Sequence, residues 1–416
     1  MRLILCIGIW MLSLWVVANN GLQQTEEAPD DDSLYVALVT CDPGADAYKL
    51  FGHTGIRVRN LHEPEMDFVF NYGLFRMSQG NFIYRFVKGE TDYELGPEPT
   101  EYFFGRYSAE GIRTVEQTLA LTPTEKLRLW YLLVENYKPE NRIYRYNFLY
   151  DNCTTRANDV IQRALLEDVL TWSEQTPNNP EWTFREILHE FTATSPWTEF
   201  GIDMVLGAEV DCPRSRKEQM FIPSILMAEM KQAQLRSGQQ VRPMVSNETE
   251  YLPEGEWQAI PDFPLSPECL FGIVLILAVC LSIADICWRR TALSLSFDLV
   301  LISLQVTAGL IISFLFFFSE HPAVGSNWLV LAFNPLAWFL MPDIIRMHHK
   351  HRPLLAVQLG RTRVDMFEVV NLAVLAFTAM LFWLPLQWIG LAQLMLVFSL
   401  LLRSAVRLKT GIRQMN

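Results

Sequence analysis

CLFGIVLILAVCLSIADICWRR, residues Cys269 to Arg290, sets the architecture of this 416-residue chain. A helix needs about 20 apolar residues to cross a bilayer's hydrocarbon core, and this run supplies them before stopping at two arginines. Four more apolar segments lie beyond it. Spans are expected near 269–288, 296–318, 327–345, 366–384 and 386–405, so that 267–416 is an all-α membrane domain of about five transmembrane helices.

Charge orients those helices. Residues 267–416 carry 11 Lys/Arg against 7 Asp/Glu, and if five helices alternate, every one of those cations falls on the same side. They lie at Arg289 and Arg290, between Arg346 and Arg363, and from Arg403 to Arg413, whereas Ser319 to Asn327 and the Pro385 connection hold none. The positive-inside rule makes the basic side cytoplasmic, with the C-terminus there as well. Asp285 and Asp298 are expected at inner helix ends, reaching headgroups, and Asn334-Pro335 is expected to be a mid-helix kink.

An independent signal agrees. Met1-Arg2 followed by the apolar stretch Leu3 to Ala18 and polar Asn19-Asn20 reads as a signal peptide or signal anchor over 1–19, with an acidic linker over 20–32. The chain beyond this signal is then exported: a domain over 33–233, and a second linker over 234–266 rich in Gln, Glu, Ser and Pro. Residues 1–266 hold 23 Lys/Arg and 39 Asp/Glu, a net of −16. That balance disfavours nucleic acid, and no nucleic-acid partner is expected, because binding phosphates takes clustered cations.

Seven cysteines (6, 41, 153, 212, 269, 280 and 287) include no CxxC pair, so no metal or redox motif is indicated and no cofactor is expected. A Cys41–Cys212 disulfide stays open.

Within the exported domain, strands are expected at Ser33 to Thr40, His53 to Arg59, Asp67 to Asn71, Phe82 to Val87, Thr91 to Leu95 and Gly111 to Leu121. Thr122-Pro123-Thr124-Glu125 opens a helix to about Tyr137, and Asp151-Asn152 caps another from Cys153 to about Leu166. Strands with marginal helices make an α+β domain.

Cys153 stands in the first turn of its helix, where the dipole favours thiolate. It shares the helix's inward face with Ala157, Val160, Ile161 and Ala164, so the residues alone leave open a nucleophile or an inert buried thiol. A nucleophile needs a base. His62 falls in a turn and His189 on a charged helix, both read as surface. His53 opens a strand inside Phe51-Gly52-His53-Thr54-Gly55, where glycines permit close approach. Asn71 could orient its imidazole if the two strands pair; Asp151 and Asn152 compete for that role, although capping explains them.

Phe51-Gly52-His53-Thr54-Gly55-Ile56-Arg57, Phe70-Asn71-Tyr72-Gly73 and Asp151-Asn152-Cys153-Thr154-Thr155-Arg156, in this order, resemble the periplasmic domain of the Lnb family of lipoprotein N-acyltransferases. The resemblance covers roughly 33–230. It implies a permuted papain-like fold, of the NlpC and lecithin:retinol acyltransferase kind, and a bacterial inner-membrane protein. By it, Cys153 is the nucleophile, His53 the base and Asn71 its orienting group, with Tyr72, Thr154 and Arg156 as substrate contacts. The implied reaction moves an acyl chain from a lipid ester, in lipoprotein diacylglycerol or phospholipid, to the N-terminal cysteine amine of lipoproteins. Membrane lipids and lipoproteins would be its partners. The helices here come after the soluble domain, an arrangement that leaves the donor lipid open. Two rival readings are a periplasmic cysteine peptidase or amidase acting on cell wall, and a non-enzymatic membrane-anchored binding module.

Overall fold

A computed structural model describes residues 32–45, 49–74, 81–166, 168–173, 181–256, 263–288, 291–349, 356–359 and 362–415. The export signal, most of the first linker and much of the basic 350–361 loop lie outside these residues. The described chain divides into two compact units. One holds the described parts of Met1–Gln79, Asp92–Asn178 and Arg216–Ala259; the other holds those of Gly80–Thr91, Asn179–Ser215 and Ile260–Asn416.

The first unit is built on strands β1 (Leu34–Cys41), β2 (His53–Asn60), β3 (Asp67–Leu74), β4 (Asp92–Pro99), β5 (Thr114–Leu119), β6 (Ile143–Arg145) and β10 (Val245–Tyr251). They form one antiparallel sheet in the order β10-β5-β1-β2-β3-β4-β6. Strand alternation divides the core. Val36, Leu38, Ile56 and Phe70 pack on one face with Leu129, Leu133, Ala157, Ile161 and Leu226. Those partners come from helices α3 (Pro123–Tyr137), α4 (Cys153–Ala164) and α7 (Pro223–Gln232). Val39, Cys41 and Val69 face the other way, against Phe103 and Tyr107 of α2 (Thr100–Ala109). Cys41 and Cys212 are both free thiols.

Two stretches differ from expectation. Residues 234–251 are not a linker: β8 (Gln234–Ser237) and β9 (Gln240–Pro243) form a hairpin that pairs with β7 (Val169–Thr171), and β10 adds to the sheet edge beside β5. An edge strand open to water is polar, and its composition mimics a linker. Phe82–Lys88 is helix α1, not a strand, although aromatic and β-branched residues fill it.

The second unit contains α1, α5 (Phe184–Thr192), α6 (Pro196–Val205) and the apolar helices. Among the described residues four helices are long and apolar enough to cross a membrane: α8 (Pro267–Cys287), α9 (Ala292–Phe318), Leu329–His348 and the Leu391–Ile412 part of α12 (Leu391–Met415). A shorter apolar helix, α11 (Met366–Leu381), lies between the last two.

The third of these spans is broken more deeply than a kink. A turn at Leu329–Ala332 stops, a 3-10 segment runs from Pro335 to Phe339, and α10 (Leu340–His348) resumes. The freed carbonyls are satisfied by side chains: Gln305 donates to Ala332 O (2.6 Å) and Asn334 to Leu331 O (2.7 Å). Gly309 permits the break, since a Cβ there would lie 2.6 Å from the Asn334 backbone.

Asp285 and Asp298 do not reach headgroups. Arg403 donates to both (2.7 Å each), and Arg407 joins Glu368 (2.8 Å) and Asp298 (3.3 Å), with all five side chains buried. Sequence position alone could not reveal that α8, α9, α11 and α12 converge there. Two of the eleven cations therefore sit inside the bundle, leaving nine to orient it.

Segments from the exported part of the sequence dock on the cation-free connections. Val87 O accepts from the Ser319 hydroxyl (2.8 Å), Lys88 O from Glu320 N (2.8 Å), and Phe86 O from His321 Nε2 (2.8 Å). Gly207 N donates to Ala323 O (2.7 Å), Asn327 Nδ2 to Met204 O (2.9 Å), and Trp388 N to Asp211 Oδ2 (2.9 Å).

Candidate active site

His53 is the first residue of β2, and Gly52 places it there from the left-handed region (φ 79°), where a Cβ would lie 2.5 Å from Cys41 O. The two strands pair, with Gly55 opposite Asn71, so His53 and Asn71 lie on the same sheet face as diagonal neighbours. His53 Nε2 meets Asn71 Oδ1 at 2.8 Å. The Gly73 backbone N–H donates to the same oxygen (2.8 Å), which identifies it as the carbonyl end of the amide. Nε2 therefore carries the hydrogen, and in the neutral ring Nδ1 is an open acceptor. That nitrogen is left without a claim from Asn71, and Cys153 lies near enough that each group shifts the other's pKa.

Gly73 allows this packing. A Cβ at that position would lie 2.7 Å from His53 Cε1 and 3.2 Å from Asn71 Oδ1.

Cys153 comes from the other direction, as the first residue of α4. Asn152 caps that helix, its Oδ1 accepting from Thr154 N (2.8 Å) and Thr155 N (2.9 Å), while its Nδ2 donates to Phe148 O (2.7 Å) and Phe221 O (2.9 Å). Asn152 is fully engaged in the cap. Asp151 is held by Arg156 at 2.6 and 2.7 Å, so neither competes with Asn71 for the imidazole.

Cys153 and His53 shift each other. Burial opposes thiolate formation at Cys153, but the His53 charge and hydrogen bonds from His53, the Thr54 backbone and Thr154 outweigh it and hold the thiol below its ordinary value. Burial likewise opposes the imidazolium, yet the Cys153 charge, with hydrogen bonds to Cys153 and Asn71, raises His53. Both residues are partly exposed. By contrast, burial pushes the neighbouring Cys41 thiol far up, an inert cysteine.

The remaining sequence candidates have partners within the domain. Tyr72 is buried in the core, its carbonyl accepting from the Tyr144 hydroxyl. Thr154 is fully buried and bonded to Thr54 (3.1 Å). Arg156 lies over the Tyr144 ring at 3.6 Å. Sequence reasoning passed over the aromatic surroundings: Phe51 and Phe148 meet at 4.8 Å, Tyr93 and Tyr146 stack at 4.1 Å, and Phe103 and Tyr107 lie 6.3 and 6.4 Å from His53. Scattered single aromatics carry no periodic signal, so only the fold gathers them.

His189 is half-buried in the other unit, not a surface residue. With Glu199 and Asp203 it brings donor atoms within 4.8 Å of one another, a spacing open to a metal ion. Asp203 is already bonded by Arg185 (2.7 Å) and by His189 (2.9 Å).

Comparison with known families decides the relationship. Residues 22–190 match the Lnb N-terminal periplasmic domain, and residues 259–414 match the Lnb transmembrane domain. The chain belongs to the Lnb family. It is accordingly a multi-pass membrane protein with a periplasmic domain ahead of its helices. No curated protein and no solved structure matches it.

Proposed function

We propose that this Lnb-family protein is a membrane-bound lipoprotein N-acyltransferase that works through a thioester on Cys153. The observation that carries the reading is the imidazole held by Asn71 through Nε2, beside a Cys153 thiol that His53 holds below its ordinary value. His53 takes the thiol proton through Nδ1, and the sulfur adds to the carbonyl of a lipid ester. The ester C–O bond breaks, and the leaving alkoxide takes the proton from His53. The amine of a lipoprotein's N-terminal cysteine then attacks the thioester, His53 accepts its proton, and the C–S bond breaks to regenerate the thiolate. Asn71 keeps one tautomer throughout. The aromatic rings around the pair favour an apolar acyl chain and disfavour water, which directs the thioester to aminolysis.

Membrane placement fits this chemistry, because both substrates are lipid-anchored. Five spans with a cytoplasmic C-terminus are supported by two observations. Five alternating spans would put the remaining cations on one side, and the exported segments 80–91 and 179–215 dock on the opposite connections. A cysteine nucleophile reached from a strand histidine also agrees with a permuted papain-like domain.

The test is mass spectrometry of lipoprotein N-termini from cells lacking the gene, complemented with the wild type or Cys153→Ser. N-acylation restored by the wild type alone is the expected result, and the fragment masses then identify a lyso or triacyl product. Unchanged N-termini in every strain, with no redundant enzyme present, would sink the reading.

A further inference from the structure

The dyad leaves one demand unmet: the negative charge that gathers on the carbonyl oxygen when sulfur adds to it. A donor fixed beside Cys153 before reaction would stabilise that charge without reorganisation. Tyr146 is placed for this by the backbone. Asn147 and Asp151 exchange two hydrogen bonds of 2.9 Å, an antiparallel bridge that sets Tyr146 opposite Asn152, next to the nucleophile. Its ring cannot swing freely, being stacked on Tyr93 of β4 at 4.1 Å and 20°.

Tyr146 is only partly buried, and among the described residues none hydrogen-bonds its hydroxyl. Tyr144, two residues earlier and also beside the Tyr93 ring, is buried with its hydroxyl spent on Tyr72 O. Burial and the Cys153 charge push the Tyr146 phenol well above its usual value, so it stays a neutral donor.

We infer that the Tyr146 hydroxyl donates a hydrogen bond to the oxyanion of the tetrahedral intermediates formed on Cys153. This rests on the thioester reading. Tyr146 takes no proton in either step: it binds the oxyanion as charge develops and releases it when the carbonyl reforms. Tyr93 is its positioning residue.

Two reactions of the same sulfur separate this role from others. Acylation passes through an oxyanion, whereas alkylation by iodoacetamide displaces iodide and forms none. Full-length wild type and Tyr146→Phe, which keeps the ring and its stack, would be placed in phosphatidylglycerol proteoliposomes with a diacylglyceryl lipopeptide. Acyl-enzyme appearance is followed by intact mass, and alkylation of Cys153 is followed in parallel. The expected loss is about 10²–10³-fold in acylation, with alkylation unchanged, which also reports an intact site. Acylation at the wild-type rate would overturn the assignment. So would an equal fall in both rates, which would place the hydroxyl on the Cys153–His53 pair. A wild type that alkylates normally but never acylates would remove the thioester reading itself, and this inference with it.

Discussion

Asn71 Oδ1 receives two N–H donors, one from the imidazole and one from the backbone two residues on, and this shared acceptor organises the site. The lowered thiol and the raised imidazole have a defined consequence for pH. Thiolate persists below the ordinary thiol range, near pH 8.5, and imidazolium persists above the ordinary histidine range, so each charge favours the other. Cys153 alkylation should therefore set in at lower pH than that of an unperturbed cysteine. His53→Ala should move the profile upward, because burial is then opposed only by the Thr54 and Thr154 hydrogen bonds; an unmoved profile would mean that the pair does not form. Gly73→Ala tests the same geometry from the backbone. Its methyl would collide with His53 and crowd Asn71, and alkylation at pH 7 should fall as the thiolate fraction returns toward the few per cent of a free cysteine.

Single elements carry loads that their propensities hide. The N-terminus of α4 depends on Asn152, whose two ends make four hydrogen bonds. Asn152→Ala removes a cap worth about 1 kcal/mol and strands two buried carbonyls at about 1–3 kcal/mol each. We expect a clear drop in the denaturation midpoint. Asn152→Asp should not rescue it, since the second carboxylate oxygen would face the Phe148 and Phe221 carbonyls. If the Asn152→Asp variant proved as stable as wild type, the Nδ2 bonds would be dispensable. Helix α1 shows the complementary case. Its residues favour a strand, yet Asn81 and Gly89 close it in left-handed conformations, and its last carbonyls bond to Ser319, Glu320 and His321.

Across the membrane unit, Arg403 and Arg407 hold three carboxylates from three other helices in a dry interior. Such a cluster is costly to assemble but costlier to break: removing one partner typically costs about 3–5 kcal/mol. Arg403→Met should lower the melting temperature of detergent-solubilised protein sharply. Adding Asp285→Asn and Asp298→Asn should recover much of the loss, because the stranded charges are gone. A single Arg403→Met as stable as wild type would contradict the buried pairing. The orientation has its own check. In a chain cleared of other exposed thiols, Glu320→Cys should react with an impermeant maleimide in intact spheroplasts, and Lys409→Cys only after lysis. The reverse pattern would invert the topology.

The sequence alone determined what depends on local composition and period: apolar runs of spanning length, the acidic exported half, the capped helix at Cys153 and the glycine-flanked His53. It also carried the ordered motifs that resemble the Lnb family. Tertiary structure decided whatever depends on which distant segments meet. It brought β2 beside β3, so that Asn71 rather than Asp151 or Asn152 holds His53. It turned Phe82–Lys88 into a helix and made a polar linker into an edge strand. It also drew Asp285 and Asp298 inward to arginines more than a hundred residues away. Periodicity reports which side of an element is apolar, but the partner that covers that side is chosen by the packing of the whole chain.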